Sequence, residues 1–373
     1  MSYALSTPEK VALYMRLVFI APWQILFSVI RVLVITQIRR IPASLFLVSA
    51  ILKIVLGTLS PRQIQYLSSS TRETYKLWIQ KKKAAETDLG TTNVLSYDIE
   101  FLESDATLLW VGSRHVAKKI VLFFHGGGYV APLLPGHLEW CWRTYVAAGR
   151  ETDIEVAVAI LEYQLCPKAK YPDQLRQAVT ALSHTLSRNI HPRNVIIGGD
   201  SAGGNLAAQV LCHLVEPHPS VPELIISEPL GGAFLVSPWL SQSTKDPSFL
   251  KNSSIDMLSA KTVDKSTKEL LPDGHGSLSK LAFPLDRDRV WLKRLGLVLS
   301  HMYVTVGSHE VFLDQVEVFV DEVRRVECMP SLRYDLQIKQ AHDFILLEGQ
   351  RNEDGECIQS MRVWMKDWLM KKI

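Results

Sequence analysis

The chain has 373 residues, of which 47% are hydrophobic and 21% charged, and its formal net charge is +3. This composition is typical of a globular protein and excludes a largely disordered chain. Because so small a positive charge is spread over so many residues, we exclude DNA and RNA as partners.

The cysteines give no sign of a disulfide framework or a metal site. They are odd in number, widely separated and without a C-x-x-C pair, at Cys141, Cys166, Cys212, Cys328 and Cys357. Such a distribution predicts neither disulfides nor zinc binding and favours a reducing compartment.

The first sixty residues contain two apolar segments separated by Arg39 and Arg40. The first, Leu17–Ile30, contains Pro22, and the second, Ile41–Leu59, contains a lysine. Neither has eighteen uncharged residues in a row, so the sequence does not establish a membrane-spanning helix. A cleaved signal peptide is not favoured either, because the apolar part is too long and lacks a small-residue cleavage site.

Two interpretations of this region remain. The apolar segments could be helices that pack over the mouth of a functional site. They could instead form a membrane anchor, either one spanning helix or two interfacial helices with Arg39 and Arg40 among the lipid headgroups. We expect membrane association through residues 11–59, at the endoplasmic reticulum or a similar membrane, and otherwise a cytoplasmic protein. The oligomeric state is not predicted.

We expect three regions along the chain. Residues 1–60 would form the apolar N-terminal helices, residues 61–92 a polar connecting segment, and residues 93–373 the main domain. Within that domain, residues 240–288 interrupt the regular pattern with interspersed polar residues and proline, which predicts an insertion or cap.

The main domain is predicted to alternate strands and helices. The segments Pro172–Leu186 and Ala202–Val215 have the apolar spacing or position of helices. Strands are predicted at Val94–Leu102, Thr107–Val111, Ile120–Phe124, Glu155–Tyr163, Asn194–Ile197, Gly232–Val236, Met302–Val306 and Leu332–Gln340. This order predicts an α/β fold with a mostly parallel eight-stranded sheet covered by helices on both faces. The last strand alternates apolar and polar residues, which indicates a position near the sheet edge.

A histidine and three glycines follow the predicted strand Ile120–Phe124, in the sequence His125-Gly-Gly-Gly-Tyr129. Glycine lacks a Cβ atom, so the backbone here can adopt unusual dihedral angles and bring its N–H groups close to a ligand. His125 is interpreted as a structural hydrogen-bonding residue.

The strongest chemical motif is Gly199-Asp-Ser-Ala-Gly203, which has the G-x-S-x-G pattern between a predicted strand and a predicted helix. In that context the serine is held on a sharp turn with its hydroxyl exposed, so Ser201 is the candidate nucleophile. A dinucleotide fingerprint would require glycine at position 200 or 201, and no phosphate-binding G-x-x-x-x-G-K-[ST] motif follows. Asp200 is expected to fix the loop, with a role near the substrate left open.

A serine nucleophile needs a histidine base and an acid that orients it, and in this architecture both follow the serine along the chain. His342 comes directly after the last predicted strand, where open α/β sheets place their sites. His184, His191, His213 and His218 are too close to Ser201 in sequence to leave room for an intervening strand and acid.

The acid is expected between Ser201 and His342, after the predicted strand Met302–Val306. Glu310 lies in the loop just past that strand, and Asp314 is the alternative, one turn into the next helix. His309 is interpreted as a neighbour in the same loop. Attack by the serine on a carbonyl creates an oxyanion, and the backbone N–H groups of Gly127, Gly128 and Ala202 are the predicted oxyanion hole.

Together, these motifs resemble the hormone-sensitive-lipase-like branch of the α/β-hydrolases over roughly residues 90–373. The shared signatures are His125-Gly-Gly-Gly-Tyr129, Gly199-Asp-Ser-Ala-Gly-Gly204, Tyr163-Gln-Leu-Cys-Pro167 and Ser237-Pro-Trp239. Glu310 departs from the family pattern, in which this position is more often aspartate. The apolar N-terminus is similar to that of membrane-linked members, among them steryl acetate hydrolases and esterases of fungal secondary metabolism.

The resemblance implies a serine hydrolase that cleaves a carboxylic ester, and we expect a short acyl group, such as acetyl, on a lipophilic alcohol, sterol or secondary metabolite. The alternatives are an amidase or formamidase, a thioesterase, an acyltransferase with the same triad, or a ligand-binding protein without catalysis. None of these mechanisms requires a metal or an organic cofactor, and we expect neither.

Overall fold

The computed structural model describes residues 4–85, 94–272, 277–327 and 330–371, without the side chains of residues 45, 277 and 278. Cys328, one of the five cysteines, lies outside the described residues. The four described cysteines are buried free thiols.

A central sheet of eight strands organises the main domain. The strands are β1 (Ile99–Phe101), β2 (Thr107–Val111), β3 (Lys119–Phe124), β4 (Val156–Glu162), β5 (Val195–Asp200), β6 (Gly232–Val236), β7 (His301–Gly307) and β8 (Ser331–Gln337). Their spatial order is β1-β2-β4-β3-β5-β6-β7-β8. Strand β2 pairs antiparallel with β1 and β4, and all other neighbours are parallel.

The central strands are buried because their sequences are apolar on both faces. All six residues of β5 and all five of β6 are buried, and β8 at the edge is largely half-exposed. This agrees with the predicted mostly parallel sheet and with the edge position of the last strand. The prediction of a long first strand was wrong: only Ile99–Phe101 pairs with the sheet, and residues 95–98 are outside any strand.

Helices cover both faces of the sheet, so the main domain has three layers, helices on either side of the strands. In the main domain they are α6 (Pro135–Cys141), α7 (Ala147–Glu151), α8 (Asp173–Ser187), α9 (Ser201–Val215), α10 (Pro247–Asn252), α11 (Ala260–Leu270), α12 (Leu313–Arg324), α13 (Phe344–Gln350) and α14 (Glu356–Leu369). Before them come α1 (Thr7–Met15), α2 (Ala21–Arg39), α3 (Ala43–Thr58), α4 (Pro61–Leu67) and α5 (Thr71–Ala85). Short 3₁₀ segments occur at Pro192–Asn194, Ser277–Ala282 and Arg289–Leu297, and a π-helical segment at Trp142–Val146 connects α6 to α7.

Helices α1 and α2 are joined by the π-helical turn Arg16–Ile20 into one helical stretch, Thr7–Arg39, of 33 residues. The stretch is long and apolar enough to cross a membrane, and few of its side chains are buried. Pro22 does not break it, because the wider turn just before the proline accommodates its missing N–H. The stretch ends at Arg40, which has a left-handed φ of 53°.

Residues 61–85 differ from the expected polar connection, because they form two helices that pack on the main domain. Tyr75 of α5 is fully buried, and its hydroxyl donates a hydrogen bond to the carbonyl oxygen of Trp110 at 2.6 Å. The side-chain amide of Gln65 in α4 donates to the carbonyl oxygens of Val130 and Cys166, both at 2.8 Å. The rest of the expected connection, residues 86–93, lies outside the described residues.

The insertion at residues 240–288 contains α10 and α11, and α11 packs against α3. Two lysines connect these parts. Lys53 of α3 donates to the carbonyl oxygens of Asp256 and Leu258, each at 3.2 Å, and to that of Ser253. Lys265 of α11 donates to the carbonyl oxygens of Leu56 and Leu59. Helix α3 and the insertion therefore form one joint covering over the carboxyl ends of the strands.

Candidate active site

Ser201 lies on the turn between β5 and α9. Its φ of 51° is a left-handed value that a residue with a side chain rarely adopts, which is typical of a serine held on a sharp strand-to-helix turn. The turn brings α9 very close to β3, and this approach is possible because residue 203 is glycine: a Cβ atom there would overlap the carbonyl oxygen of Phe124. Small residues around Ser201 thus permit the conformation that presents its hydroxyl.

His342 lies between β8 and α13, and its ring reaches Ser201. The Nε2 atom of His342 is 2.9 Å from the Oγ atom of Ser201, although the two residues are 141 positions apart. The histidine is buried, and the edge of its ring packs against Phe312 with the ring centroids 5.1 Å apart. The hydroxyl of Ser201 can donate its proton to this imidazole.

Glu310 holds the other side of the imidazole. Its Oε2 atom is 2.7 Å from Nδ1 of His342, which places the proton of the neutral ring on Nδ1 and leaves Nε2 free to accept. The Oε1 atom accepts hydrogen bonds from the hydroxyl of Ser237, at 2.9 Å, and from the N–H of Gly307. Each oxygen of this fully buried carboxylate thus has a donor.

Asp314, the alternative acid, has a different partner. It lies in the first turn of α12, and its Oδ2 atom accepts a hydrogen bond from the N–H of Ser248 in α10 at 2.6 Å. The geometry therefore brings Glu310, and not Asp314, to His342.

The charges around His342 favour its protonated form. Burial alone would lower the pKa of His342, but the carboxylates of Asp343, Glu310 and Asp256 raise it above the ordinary 6.5. Burial in turn raises the pKa of Glu310, against the effect of its hydrogen bond with His342. The imidazole is thereby a stronger base than a histidine in water, and the positive charge that it acquires on taking a proton is stabilised.

The glycines after β3 form a loop beside Ser201. The N–H of Gly126 donates to Oδ1 of Asp200 at 3.0 Å, which fixes the loop to the strand that carries the serine. Gly127 and Gly128 have φ angles of 104° and 60°. Among the described residues, the N–H groups of Gly127, Gly128 and Ala202 have no hydrogen-bond acceptor. These are the three donors that the sequence predicts for an oxyanion.

A cleft of about 760 Å³, its open mouth included, leads to Ser201 and is lined mostly by apolar side chains. Leu52 and Leu56 of α3 form part of its wall together with residues of the insertion, among them Met257 and Val263. Phe312, which packs against His342, and Trp239, which stacks on Phe312 with the ring centroids 6.5 Å apart, also line it. The described residues contain no group of three or more His, Cys, Asp or Glu placed to bind a metal ion.

A family model described as the alpha/beta hydrolase fold matches residues 121–346 of the chain. The match covers more than half of the 373 residues and contains Ser201, Glu310 and His342. The chain belongs to the α/β-hydrolase family.

Several curated proteins are similar to this α/β-hydrolase. An esterase of Acinetobacter venetianus is 26% identical over 216 residues, covering 57% of this chain and 63% of that protein. An acetyl-hydrolase of Streptomyces hygroscopicus is 26% identical over 208 residues, covering 56% of this chain and 62% of that protein. The steryl acetyl hydrolase 1 of Saccharomyces cerevisiae is 27% identical over 125 residues, covering 32% of this chain and 26% of that protein. The chain thus spans less than two thirds of the length of each of these relatives.

Solved structures agree on the fold. An esterase from the bacterial hormone-sensitive lipase family has a TM-score of 0.58 at 18% identity, covering 85% of this chain and 95% of that one. A thermostable esterase from Pseudomonas putida has a TM-score of 0.60 at 19% identity, covering 84% and 89%. The family match and the named relatives confirm the expected α/β-hydrolase recognition, and the solved structures confirm its fold.

Sequence reasoning missed three polar residues around the site of this α/β-hydrolase. His137 of α6 is buried with its Nε2 atom 3.1 Å from Oδ2 of Asp200. Asp256, in the insertion, accepts a hydrogen bond from the N–H of Val311 at 2.6 Å, next to Glu310. Asp343 lies directly after the histidine base. Only Asp343 had a usable signal, its position beside His342, because the other two approach the site through the fold.

His125, in contrast, is a structural hydrogen-bonding residue, as the sequence predicts: its Nδ1 atom is 2.8 Å from the carbonyl oxygen of Gly126. It is fully buried and stacks on Tyr163 with the ring centroids 4.4 Å apart. Burial lowers the pKa of His125 to about 4, so the ring is neutral at physiological pH. The neutral, stacked ring thus supports the glycine loop through its contact with Gly126.

Proposed function

We propose that this α/β-hydrolase is a serine esterase that cleaves carboxylic esters through an acyl-enzyme. The observation that carries the proposal is the continuous chain of short contacts from Glu310 to His342 at 2.7 Å and from His342 to Ser201 at 2.9 Å. The free N–H groups of Gly127, Gly128 and Ala202 lie beside it. This set of groups supplies a base, a nucleophile and a place for negative charge, which are the requirements of acyl transfer.

The proposed reaction begins when the hydroxyl oxygen of Ser201 attacks the ester carbonyl and its proton passes to Nε2 of His342. Glu310 stabilises the imidazolium that results, and the three N–H groups stabilise the oxyanion. The tetrahedral intermediate collapses, the bond to the alcohol oxygen breaks, and His342 gives its proton to that oxygen. Water then repeats the sequence on the acyl-enzyme, releasing the acid and restoring Ser201.

The walls of the cleft support a lipophilic substrate. Apolar residues from α3, the insertion and the β6 and β7 loops surround Ser201, so a large apolar alcohol would gain affinity by leaving water. We infer a short acyl group, such as acetyl, on a lipophilic alcohol, sterol or secondary metabolite. Two relatives, named as an acetyl-hydrolase and a steryl acetyl hydrolase, support the same acyl group.

We further propose that the protein associates with a membrane through residues 11–59. The support is the 33-residue apolar stretch Thr7–Arg39, whose large side chains, such as Phe19, Trp23 and Phe27, are exposed. Because the wall of the cleft includes Leu52 and Leu56 of the adjacent α3, a lipophilic ester dissolved in the bilayer would reach the serine over a short distance.

The test is hydrolysis of p-nitrophenyl esters, from acetate to palmitate, by the detergent-solubilised wild type and Ser201→Ala in parallel. We expect hydrolysis of the short esters by the wild type and none above background by the variant. Matched anilide and thioester substrates test the amidase and thioesterase alternatives, and added alcohols test acyl transfer. Absence of hydrolysis of every ester by folded wild type would contradict the proposal and favour one of these alternatives or a ligand-binding protein.

A further inference from the structure

Asp343 is a buried carboxyl group in the cleft that the proposed triad chemistry does not use. It follows His342 directly and precedes α13, and its φ of 54° is left-handed. Only 8% of its side chain is exposed, yet the residue lines the same cleft as Ser201 and His342. The backbone thus turns this side chain into the site rather than towards solvent.

Neither oxygen of Asp343 has a hydrogen-bond donor among the described residues. The Oδ1 atom is buried without a partner, and Oδ2 lies 3.5 Å from Nε2 of His342, which is too long for a strong hydrogen bond. The adjacent Glu310, in contrast, has a donor for each oxygen. Burial raises the pKa of Asp343, and the nearby carboxylates of Asp200 and Glu310 act in the same direction, while His342 and His137 oppose them.

An unpaired polar group in so apolar a cleft is costly. Removing a carboxyl group from water without a compensating hydrogen bond is unfavourable. A ligand with a hydrogen-bond donor at the right place would recover part of this cost, whereas a purely apolar ligand would not. The arrangement therefore discriminates between ligands by a single donor.

The position of Asp343 tells which part of an ester it faces. His342 must give its proton from Nε2 to the departing alcohol oxygen, so that oxygen lies within hydrogen-bond distance of Nε2 in the reacting complex. Asp343 is next to the same Nε2 atom. Its carboxyl group consequently lies on the alcohol side of the scissile bond, close to the carbon that bears the ester oxygen and to the next carbon along.

We propose that Asp343 binds the substrate by accepting a hydrogen bond from a free hydroxyl adjacent to the esterified oxygen, and so selects monoesters of diols and polyols. This inference rests on the proposed ester hydrolysis and specifies the alcohol. The hydroxyl would occupy the site next to Oδ2, with the apolar remainder of the alcohol against the walls of the cleft.

The test compares two esters that differ only in the donor, 2-hydroxyethyl butanoate and propyl butanoate. They have equal numbers of heavy atoms and the same acyl group. We expect the wild type to prefer the hydroxyethyl ester by about 10-fold or more in kcat/KM, the effect of one hydrogen bond to a charged group. A preference near one in the wild type would overturn the proposal.

Two variants keep the left-handed backbone, since glycine and asparagine both tolerate a positive φ. Asp343→Gly removes the acceptor, and we expect its preference to fall to about one. Asp343→Asn retains a carbonyl acceptor without the charge and should give an intermediate preference. A merely structural role would reduce hydrolysis of both esters equally, so an unchanged preference in Asp343→Gly would also overturn the proposal.

A separate measurement distinguishes this inference from the proposed function. Wild type that hydrolyses propyl butanoate and p-nitrophenyl butanoate, with Ser201→Ala inactive, has the proposed esterase activity whatever its preference. An unselective but active enzyme would thus overturn only the role of Asp343. Inactivity on all three esters would overturn the proposed function and, with it, the inference about the alcohol.

Discussion

The ammonium group of Lys53 lies 3.2 Å from the carbonyl oxygen of Asp256, and this contact joins an N-terminal helix to the active-site loops. The side chain of Asp256 in turn accepts the N–H of Val311, the residue after Glu310. The amide of Asn252 also donates to the carbonyl oxygen of Glu310, at 2.9 Å. Helix α3, the insertion and the loop of the proposed acid are therefore one hydrogen-bonded unit.

Replacing Lys53 tests this connection. Lys53→Met keeps much of the length and apolar stem but leaves three carbonyl oxygens without their donor. We therefore expect the free energy of unfolding to fall by about 1–3 kcal/mol, with a lower thermal midpoint. We also expect a higher KM, because α3 forms a wall of the cleft. Lys261→Met, on the exposed face of α11, is the matched control. Equal stability of the two variants would contradict the proposed link.

The choice of Glu310 over Asp314 can be tested with isosteric amides. Glu310→Gln keeps the volume but would accept less well from Nδ1 of His342 and would not stabilise the imidazolium, so we expect kcat to fall by about 10⁴-fold. Asp314→Asn should remain near wild-type activity, since Asp314 contacts Ser248 instead. Hydrolysis of p-nitrophenyl butanoate measures both. A larger loss in Asp314→Asn would reverse the assignment.

The pH dependence of kcat/KM should show the effect of the surrounding carboxylates on the pKa of His342. Glu310, Asp343 and Asp256 raise the pKa of His342 above 6.5, so the neutral base forms only at higher pH and activity falls as the pH decreases through that pKa. Removing one negative charge lowers the pKa. Asp343→Asn is therefore expected to move the acidic limb of the profile to lower pH. A limb that stayed in place or moved upwards would contradict the charge assignment.

The oxyanion hole can be tested at Gly127. With φ at 104° and a Cβ atom that would lie 2.9 Å from Cβ of Ala131, Gly127→Ala must displace the loop. Because the affected N–H groups act mainly on the transition state, we expect kcat to fall by about 10²- to 10³-fold with a small change in KM. Unchanged kcat in a folded variant would remove Gly127 from the proposed oxyanion hole.

Membrane binding can be tested with two equally exposed phenylalanines. Phe27, in the apolar stretch, is 69% exposed, and Phe101, in β1, is 70% exposed. We expect Phe27→Asp to weaken flotation of the full chain with phospholipid vesicles, because a charge would enter the apolar layer. Phe101→Asp should float like wild type. Equal flotation of the Phe27→Asp and Phe101→Asp variants would argue against membrane binding through residues 11–59.

Much of the fold could be predicted because the relevant signals are local. The buried strands are short apolar runs, and Gly199-Asp-Ser-Ala-Gly203 follows one of them, so the position of Ser201 required no knowledge of distant contacts. The alternation in Leu332–Gln340 likewise revealed the edge strand before His342. Chain order and strand ends then reduced the eleven histidines to one that contacts Ser201.

The remaining features depend on contacts between distant segments. Tyr75 packs into the main domain from a helix that looks polar in sequence, and Asp256 reaches Val311 from an irregular insertion. Neither the helix of Tyr75 nor the insertion that carries Asp256 has an apolar periodicity that predicts these contacts. The continuous helix through Pro22 was also not apparent, because the π-helical turn that accommodates the proline leaves no mark in the residue types.

The placement of Leu52 and Leu56 in the wall of the cleft affects how the protein can be shortened for expression. A chain begun after residue 39 would lose the most exposed apolar stretch and keep the enclosure around Ser201. A chain begun at residue 61 would start at the first residue of α4. It would lose the side of the enclosure that Leu52 and Leu56 form, together with the hydrogen bonds that Lys53 donates. Selectivity measured on the second preparation would describe an artificially widened site, even if the triad remained intact.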